Sequence, residues 1–189
     1  GYSDADNIAS WDGQSWSELL QGEVTNGTNG TVHALASTAT GLAIGGTFTT
    51  VMDIPMQGVT LWDGKFFSAL STAPPFVYTL LSDGSNLFAG GSFGTVDGVA
   101  LDNLARWDGT RWNAMDGGID GSVYELAGTS NDLFIGSSNN QQVETSAAAS
   151  PQAVEDGHHP LSTWNGSTLS SFGNANTMGI NGIISAILV

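Results

Sequence analysis

The stretch NLARWDGTRWNAM, residues 103–115, decides how the chain is to be read. It sets an apolar run, a Trp-Asp-Gly turn and a second apolar run in a row, and the same form returns elsewhere. NIASWDGQSWSEL spans 7–19, GVTLWDGKFFSAL spans 58–70 and LSTWNGSTLSSF spans 161–172. The leading tryptophans, Trp11, Trp62, Trp107 and Trp164, follow one another at 51, 45 and 57 residues. Two more segments recur in step. One is GTVHALAST (30–38), FVYTLLSD (76–83), GSVYELAGT (121–129) and NGIISAILV (181–189). The other is LAIGGTF (42–48), LFAGGSF (87–93) and the weaker LFIGSSN (133–139). Segments that keep the same order at a period of 45–57 residues define an internal repeat.

Each unit is expected to hold four short strands. The first carries Val-x-x-Leu, and positions three apart in a regular strand face opposite sides, so it is expected to be buried on both faces. The second ends in Gly45-Gly46 or Gly90-Gly91, where the lack of a side chain allows a bulge or close backbone approach. The third and fourth form a hairpin across Asp12, Asp63 or Asp108 and the following glycine, two residue types that tolerate positive φ. No sustained 3.6-residue apolar period appears, so helix should be scarce. Four antiparallel strands per unit of this length is the arithmetic of a β-propeller blade. The tryptophans are then expected to pack between blades.

The units run at about 7–58, 59–102, 103–160 and 161–189, within one domain over 1–189. Residues 140–160, rich in Ala, Ser and Gln, are expected to form a loop inserted between the second and third strands of a unit. The chain opens on strands three and four of one unit and closes on the first strand of another. The expectation is therefore an all-β, kelch-like arc of about four blades from a larger propeller. Such a chain alone is not expected to be a well-folded monomer. It begins at Gly1 without a signal-like segment and stops within NGIISAILV, so it is expected to be part of something longer, with any membrane anchor outside it.

Composition narrows the function. Of the 189 residues only 11% are charged, against the usual ~25%, so solubility must rest on Ser, Thr, Asn, Gln and Gly. That style of surface points outside the cell. Three Lys and Arg stand against eighteen Asp and Glu, for a net charge of −15. Lys65, Arg106 and Arg111 cannot build a phosphate-binding footprint, so nucleic acid is excluded as a partner and anionic membrane surfaces are disfavoured. Without cysteine there are no disulfides, thiolate metal sites or cysteine nucleophiles.

Three chemistries bear on a possible site. Asn26, Asn29 and Asn165 each open an Asn-x-Ser/Thr acceptor pattern for N-glycosylation. Asp12, Asp63 and Asp108 recur in the turns, but one acid per turn is a turn residue before it is a Ca²⁺ ligand. The His158-His159 pair has no third ligand placed by spacing, so no metal site and no cofactor is expected. His33 lies on a first strand, yet no Gly-x-Ser-x-Gly elbow accompanies it. GGSFG at 90–94 lacks the Gly-Lys-Ser/Thr of a phosphate loop, and Asp116/Asp120 and Glu155/Asp156 are ordinary acidic loops. No catalytic residue is assigned.

Taken together, the Trp-Asp-Gly hairpin, Gly-x-Val-x-x-Leu and Leu-x-x-Gly-Gly-x-Phe resemble the kelch-type propeller repeats of secreted proteins. Among these the chain most resembles the lumenal part of the fungal cortical cell-polarity marker family, membrane-anchored glycoproteins of bud-site selection and polarised growth. The resemblance covers nearly all of 7–189 and weakens at 140–160. It implies an extracellular, N-glycosylated propeller without enzymatic activity. The departures are Gly136-Ser137-Ser138-Asn139, Phe66-Phe67 near the second Trp position, and Leu169 there in the last copy. The expected role is binding of a protein or wall glycan through the loop face. A structural coat or filament made of copies of the chain is the alternative, and a glycan-active hydrolase or lyase the third reading.

Overall fold

The computed structural model describes residues 7–19, 27–70, 72–128, 132–138, 161–171 and 187. The inserted loop, His158-His159, Glu155/Asp156, Asn26 and all but one residue of 181–189 lie outside them. Among the described residues there is no helix. The leading hairpin pairs β1 (Ser10–Trp11) with β2 (Trp16–Ser17). Three four-stranded antiparallel sheets follow. The first comprises β3 (Val32–Thr38), β4 (Gly41–Gly46), β7 (Val59–Trp62) and β8 (Phe67–Ala69), hydrogen-bonded in that order. The second comprises β9 (Val77–Ser82), β10 (Leu87–Gly91), β13 (Leu104–Trp107) and β14 (Trp112–Ala114). The third comprises β15 (Val123–Gly128), β16 (Leu133–Ser137), β17 (Leu161–Trp164) and β18 (Leu169–Ser171).

Two small hairpins were not expected. Between the second and third strands of the first sheet lie β5 (Thr50–Val51) and β6 (Ile54–Pro55). In the second sheet the same connection holds β11 (Thr95–Val96) and β12 (Val99–Ala100). Their turns, Met52-Asp53 and Asp97-Gly98, have positive φ at both central residues. That backbone matches the right-handed twist of a two-residue hairpin. Val51 and Val96, one in each hairpin, are buried.

The first strand of the second sheet is buried on both faces, with Leu80 toward the first sheet and Thr79 toward the third, but the spacing of Val-x-x-Leu is not the reason. Each first strand carries a β-bulge one residue after the valine. Val32 pairs with Gly46 but Ala34 with Gly45; Val77 pairs with Gly91 but Thr79 with Gly90; Val123 pairs with Ser137 but Glu125 with Gly136. The extra residues are His33, Tyr78 and Tyr124. A bulge shifts the face count by one, so valine and leucine three apart turn to the same side. That side meets the preceding sheet. Val77 and Leu80 crowd over Gly45, and Val123 crowds over Gly90. The first glycine of each pair, Gly45 or Gly90, is therefore a seat for the next unit's first strand, while Gly46 and Gly91 let their own unit's backbone approach. The weaker LFIGSSN keeps this seat in sequence as Gly136, while Ser137 replaces the second glycine and buries a hydroxyl without a partner.

Sheet-to-sheet packing repeats in the same terms. Ala43 and Val59 of the first sheet share a buried cluster with Val77, Leu80, Leu87 and Ala105 of the second. Phe88 and Leu104, on the other side of the second sheet, join Val123, Leu126 and Ile135 of the third. The outer strands follow suit. The Trp112 indole N–H donates to the Leu70 carbonyl of the preceding sheet at 3.2 Å, and the backbone N–H of Leu169, at the matching position, donates to Asp116 Oδ2 at 2.9 Å. Phe67 holds this position in the first sheet, opposite Trp62, and joins a cluster with Ile8 and Leu19 of the leading hairpin. Phe66 is exposed, with the Lys65 ammonium 5.1 Å over its ring.

The residue after the bulge ties consecutive first strands. The Leu126 N–H donates to the Thr79 hydroxyl at 3.2 Å. One unit later the Ile187 N–H bonds to the Glu125 carboxylate, so Ile187 takes the place in its unit that Leu126 has in the third sheet. Burial raises the Glu125 pKa above its usual value, and the Ile187 hydrogen bond opposes that rise.

Candidate functional site

In the recurring Trp-Asp-Gly units the Asp and Gly make the turn, and Trp62, Trp107 and Trp164 join buried clusters. Trp11, by contrast, is 51% exposed and meets only Trp16 among the described aromatic rings, at 5.4 Å. In each turn the glycine alone has positive φ: Gly13, Gly64, Gly109 and Gly166 lie between 96° and 100°. The aspartate acts through its carboxylate. Asp12 Oδ1 accepts the Gln14 and Ser15 N–H groups at 2.7 Å, Asp63 Oδ1 those of Lys65 and Phe66, and Asp108 Oδ1 those of Thr110 and Arg111. Asn165 Oδ1 accepts Ser167 and Thr168 N–H in the same way, which is why an amide can stand in for the acid. Asp83, between β9 and β10, repeats the device with Ser85 and Asn86. Arg111 is exposed and sits 3.9 Å from Asp108.

These hydrogen bonds to the ionised form hold the carboxyls of Asp12, Asp63 and Asp108 below the usual 3.8. The Ser15 N–H leads at Asp12, the Phe66 N–H at Asp63 and the Thr110 hydroxyl at Asp108. A depressed folded pKa contributes stability that is complete above the unfolded value and lost as pH falls through the folded one. Unfolding midpoints are thus expected to drop from about pH 4 downward. A triple Asp→Asn variant at these positions should show a shallower acid limb in denaturant melts, with little change at pH 7.

Of the glycosylation candidates, Asn165 is exposed in its turn. Asn29 is also exposed, but its amide clamps the chain: Oδ1 accepts Thr49 and Thr50 N–H at 2.8 and 3.0 Å, and Nδ2 donates to the Thr49 hydroxyl at 2.9 Å. The heads of the repeated motif carry a role the sequence reading missed. Asn7, Gly58 and Asn103 all have φ of 64–68°. Asn7 and Asn103 donate to the carbonyls of Thr28 and Ile119. The alternation Asn, Gly, Asn at one repeat position was the available signal.

At the bulges, His33 meets Tyr78 edge-on at 5.6 Å, and Tyr78 stacks on Tyr124 at 5.4 Å with the rings 4° from parallel. First strands of successive units therefore stand side by side.

Residues that differ between units also line the clefts between sheets, at the end carrying the Asp turns. The cleft between the first and second sheets, about 130 Å³, is lined by Thr38, Leu61, Leu87 and Trp107 among others. The matching cleft between the second and third sheets, about 310 Å³, is lined by Asp83, Asn86, Phe88, Arg106, Asp132 and Trp164 among others. Repeat by repeat, Leu61 becomes Arg106 and Thr38 becomes Asp83. The Arg106 Nε is buried without a hydrogen-bond partner. Burial works to raise the Asp83 pKa, but the Asn86 side chain, the turn N–H groups and the Arg106 charge together hold it below the usual value.

No group of three or more His, Cys, Asp or Glu residues able to hold a metal occurs among the described residues. No helix long and apolar enough to cross a membrane occurs among the described residues. No protein-family model matches the chain, and no curated protein matches it.

Proposed function

We propose that the chain is an arc of a kelch-type β-propeller, displayed outside the cell, that binds a protein or wall glycan without catalysing a reaction. The polarity-marker type of surface glycoprotein is the kind it resembles. Consecutive antiparallel sheets with first strands side by side support the propeller reading. One observation carries the binding reading: a constant frame of sheets, turns and packed tryptophans encloses clefts whose lining changes from unit to unit. Constant frame with variable lining is how a repeat protein varies its ligands. The test is saturable binding of the labelled chain to isolated cell walls and to solubilised surface proteins. Saturable binding to either supports the reading; binding to neither overturns it, as does release of reducing sugar from the walls.

One observation favours a second reading, assembly with copies of itself. Leu35, at the position where Leu80 and Leu126 are 7% and 4% exposed, is 54% exposed. Trp16, at the position of the 6% exposed Trp112, is 65% exposed. An uncovered inter-sheet face of this kind drives association. The chain is expected to sediment above monomer mass with rising concentration, and Leu35→Lys with Trp16→Ser to return it to monomer. A monomer at every concentration would exclude assembly through this face.

A further inference from the structure

We propose that the cleft between the second and third sheets, around Arg106, is a binding site for a neutral, hydroxyl-rich saccharide. This rests on the surface-binding reading and names its ligand class. The volume, about 310 Å³, lies at the small end of ligand pockets. Phe88, Leu133 and Trp164 supply an apolar floor. The rim mixes fixed roles: the Arg106 guanidinium only donates hydrogen bonds, the Asp83 and Asp132 carboxylates only accept them, and Asn86 does both.

A sugar hydroxyl donates and accepts at once, and so meets all three kinds of rim group. An anion bound to Arg106 would face two carboxylates, and a cation bound to the carboxylates would face the guanidinium. The ligand class that fits both is uncharged. Arg106 lines the cleft, and its guanidinium is the donor group an incoming hydroxyl oxygen would meet there. The preceding cleft serves as an internal comparison. There the Arg106 position is Leu61, the Asp83 position is Thr38, and the volume falls to about 130 Å³.

The experiment titrates the chain with neutral β-glucan, mannan and chitin oligosaccharides, read by calorimetry and by tryptophan fluorescence. Three proteins are compared: wild type, R106L and R111S. R106L installs the residue the preceding sheet already carries, so its unfolding midpoint should stay near wild type. R111S removes the same charge from an exposed turn. The expected result is that wild type and R111S bind at least one of these oligosaccharides alike, while R106L binds about tenfold or more weakly, the loss of hydrogen bonds to a charged donor. Should R106L fail to fold, D83N takes its place. An asparagine keeps the turn, as Asn165 does, and should also weaken binding.

Undiminished binding by R106L places the ligand elsewhere and overturns this site, while leaving the surface-binding reading standing. Equal weakening by R106L and R111S reduces the effect to net charge and also overturns it. If none of the oligosaccharides binds, the saccharide assignment is wrong, and the wall and surface-protein assay above decides the broader reading separately.

Discussion

Gly90→Val is expected to destabilise the chain by about 3 kcal/mol or more, a cost at the upper end of overpacking. A Cβ at Gly90 would lie 2.4 Å from Val123 Cγ1 and 2.8 Å from Thr79 Cγ2. Val123 is fully buried, so it has nowhere to retreat. The added methyls would force the third sheet off the second. Gly94 belongs to the same GGSFG stretch, yet a Cβ there meets nothing within 4 Å. Gly94→Ala should therefore change the urea midpoint little, and the contrast separates close approach from glycine content. Equal effects at the two glycines would mean that Gly90 is not a seat for the next unit.

The second large effect compares one repeat position in two units. Leu80→Ala removes a side chain packed between the first two sheets, and the expected loss is about 2–5 kcal/mol, transfer plus cavity. Leu35→Ala makes the same chemical change on the uncovered face and should cost less than about 1 kcal/mol in the monomer. The difference measures what one sheet contributes by lying against its neighbour. Urea unfolding of both variants, at a concentration where the chain is monomeric, reads it directly. Equal losses would show that the leucines are held within their own sheets rather than by the stacking.

The repeat and its hairpins were legible because Trp-Asp-Gly recurs and turn chemistry is local. The bulge was not. Val-x-x-Leu looks two-faced in a regular strand, and only the pairing of Val77 with Gly91 and Thr79 with Gly90 shows the skipped residue. The Asp-Gly turns were placed correctly but for half the wrong reason: the glycine supplies the positive φ, while the carboxylate gathers N–H groups. The small hairpin at Asp97-Gly98 carried a readable signal, the same dipeptide flanked by valines, whereas Met52-Asp53 carried none. Arg106 is visible in sequence as the one charged residue at its repeat position, where the other copies have Ser10, Leu61 and Thr163. Its partners are not, because Asp83 comes from the β9–β10 turn through strand pairing within the second sheet, and Asp132 from the third sheet only by sheet packing.

The central claim is that consecutive repeats stack as sheets with their first strands side by side. The direct measurement is a proton NOESY spectrum of the ring resonances, tractable because the chain has only three Tyr and three His. The account predicts cross-peaks from the His33 ring to Tyr78 and from Tyr78 to Tyr124, the pairs whose centroids lie 5.6 and 5.4 Å apart. A folded chain with dispersed signals and neither cross-peak would contradict it.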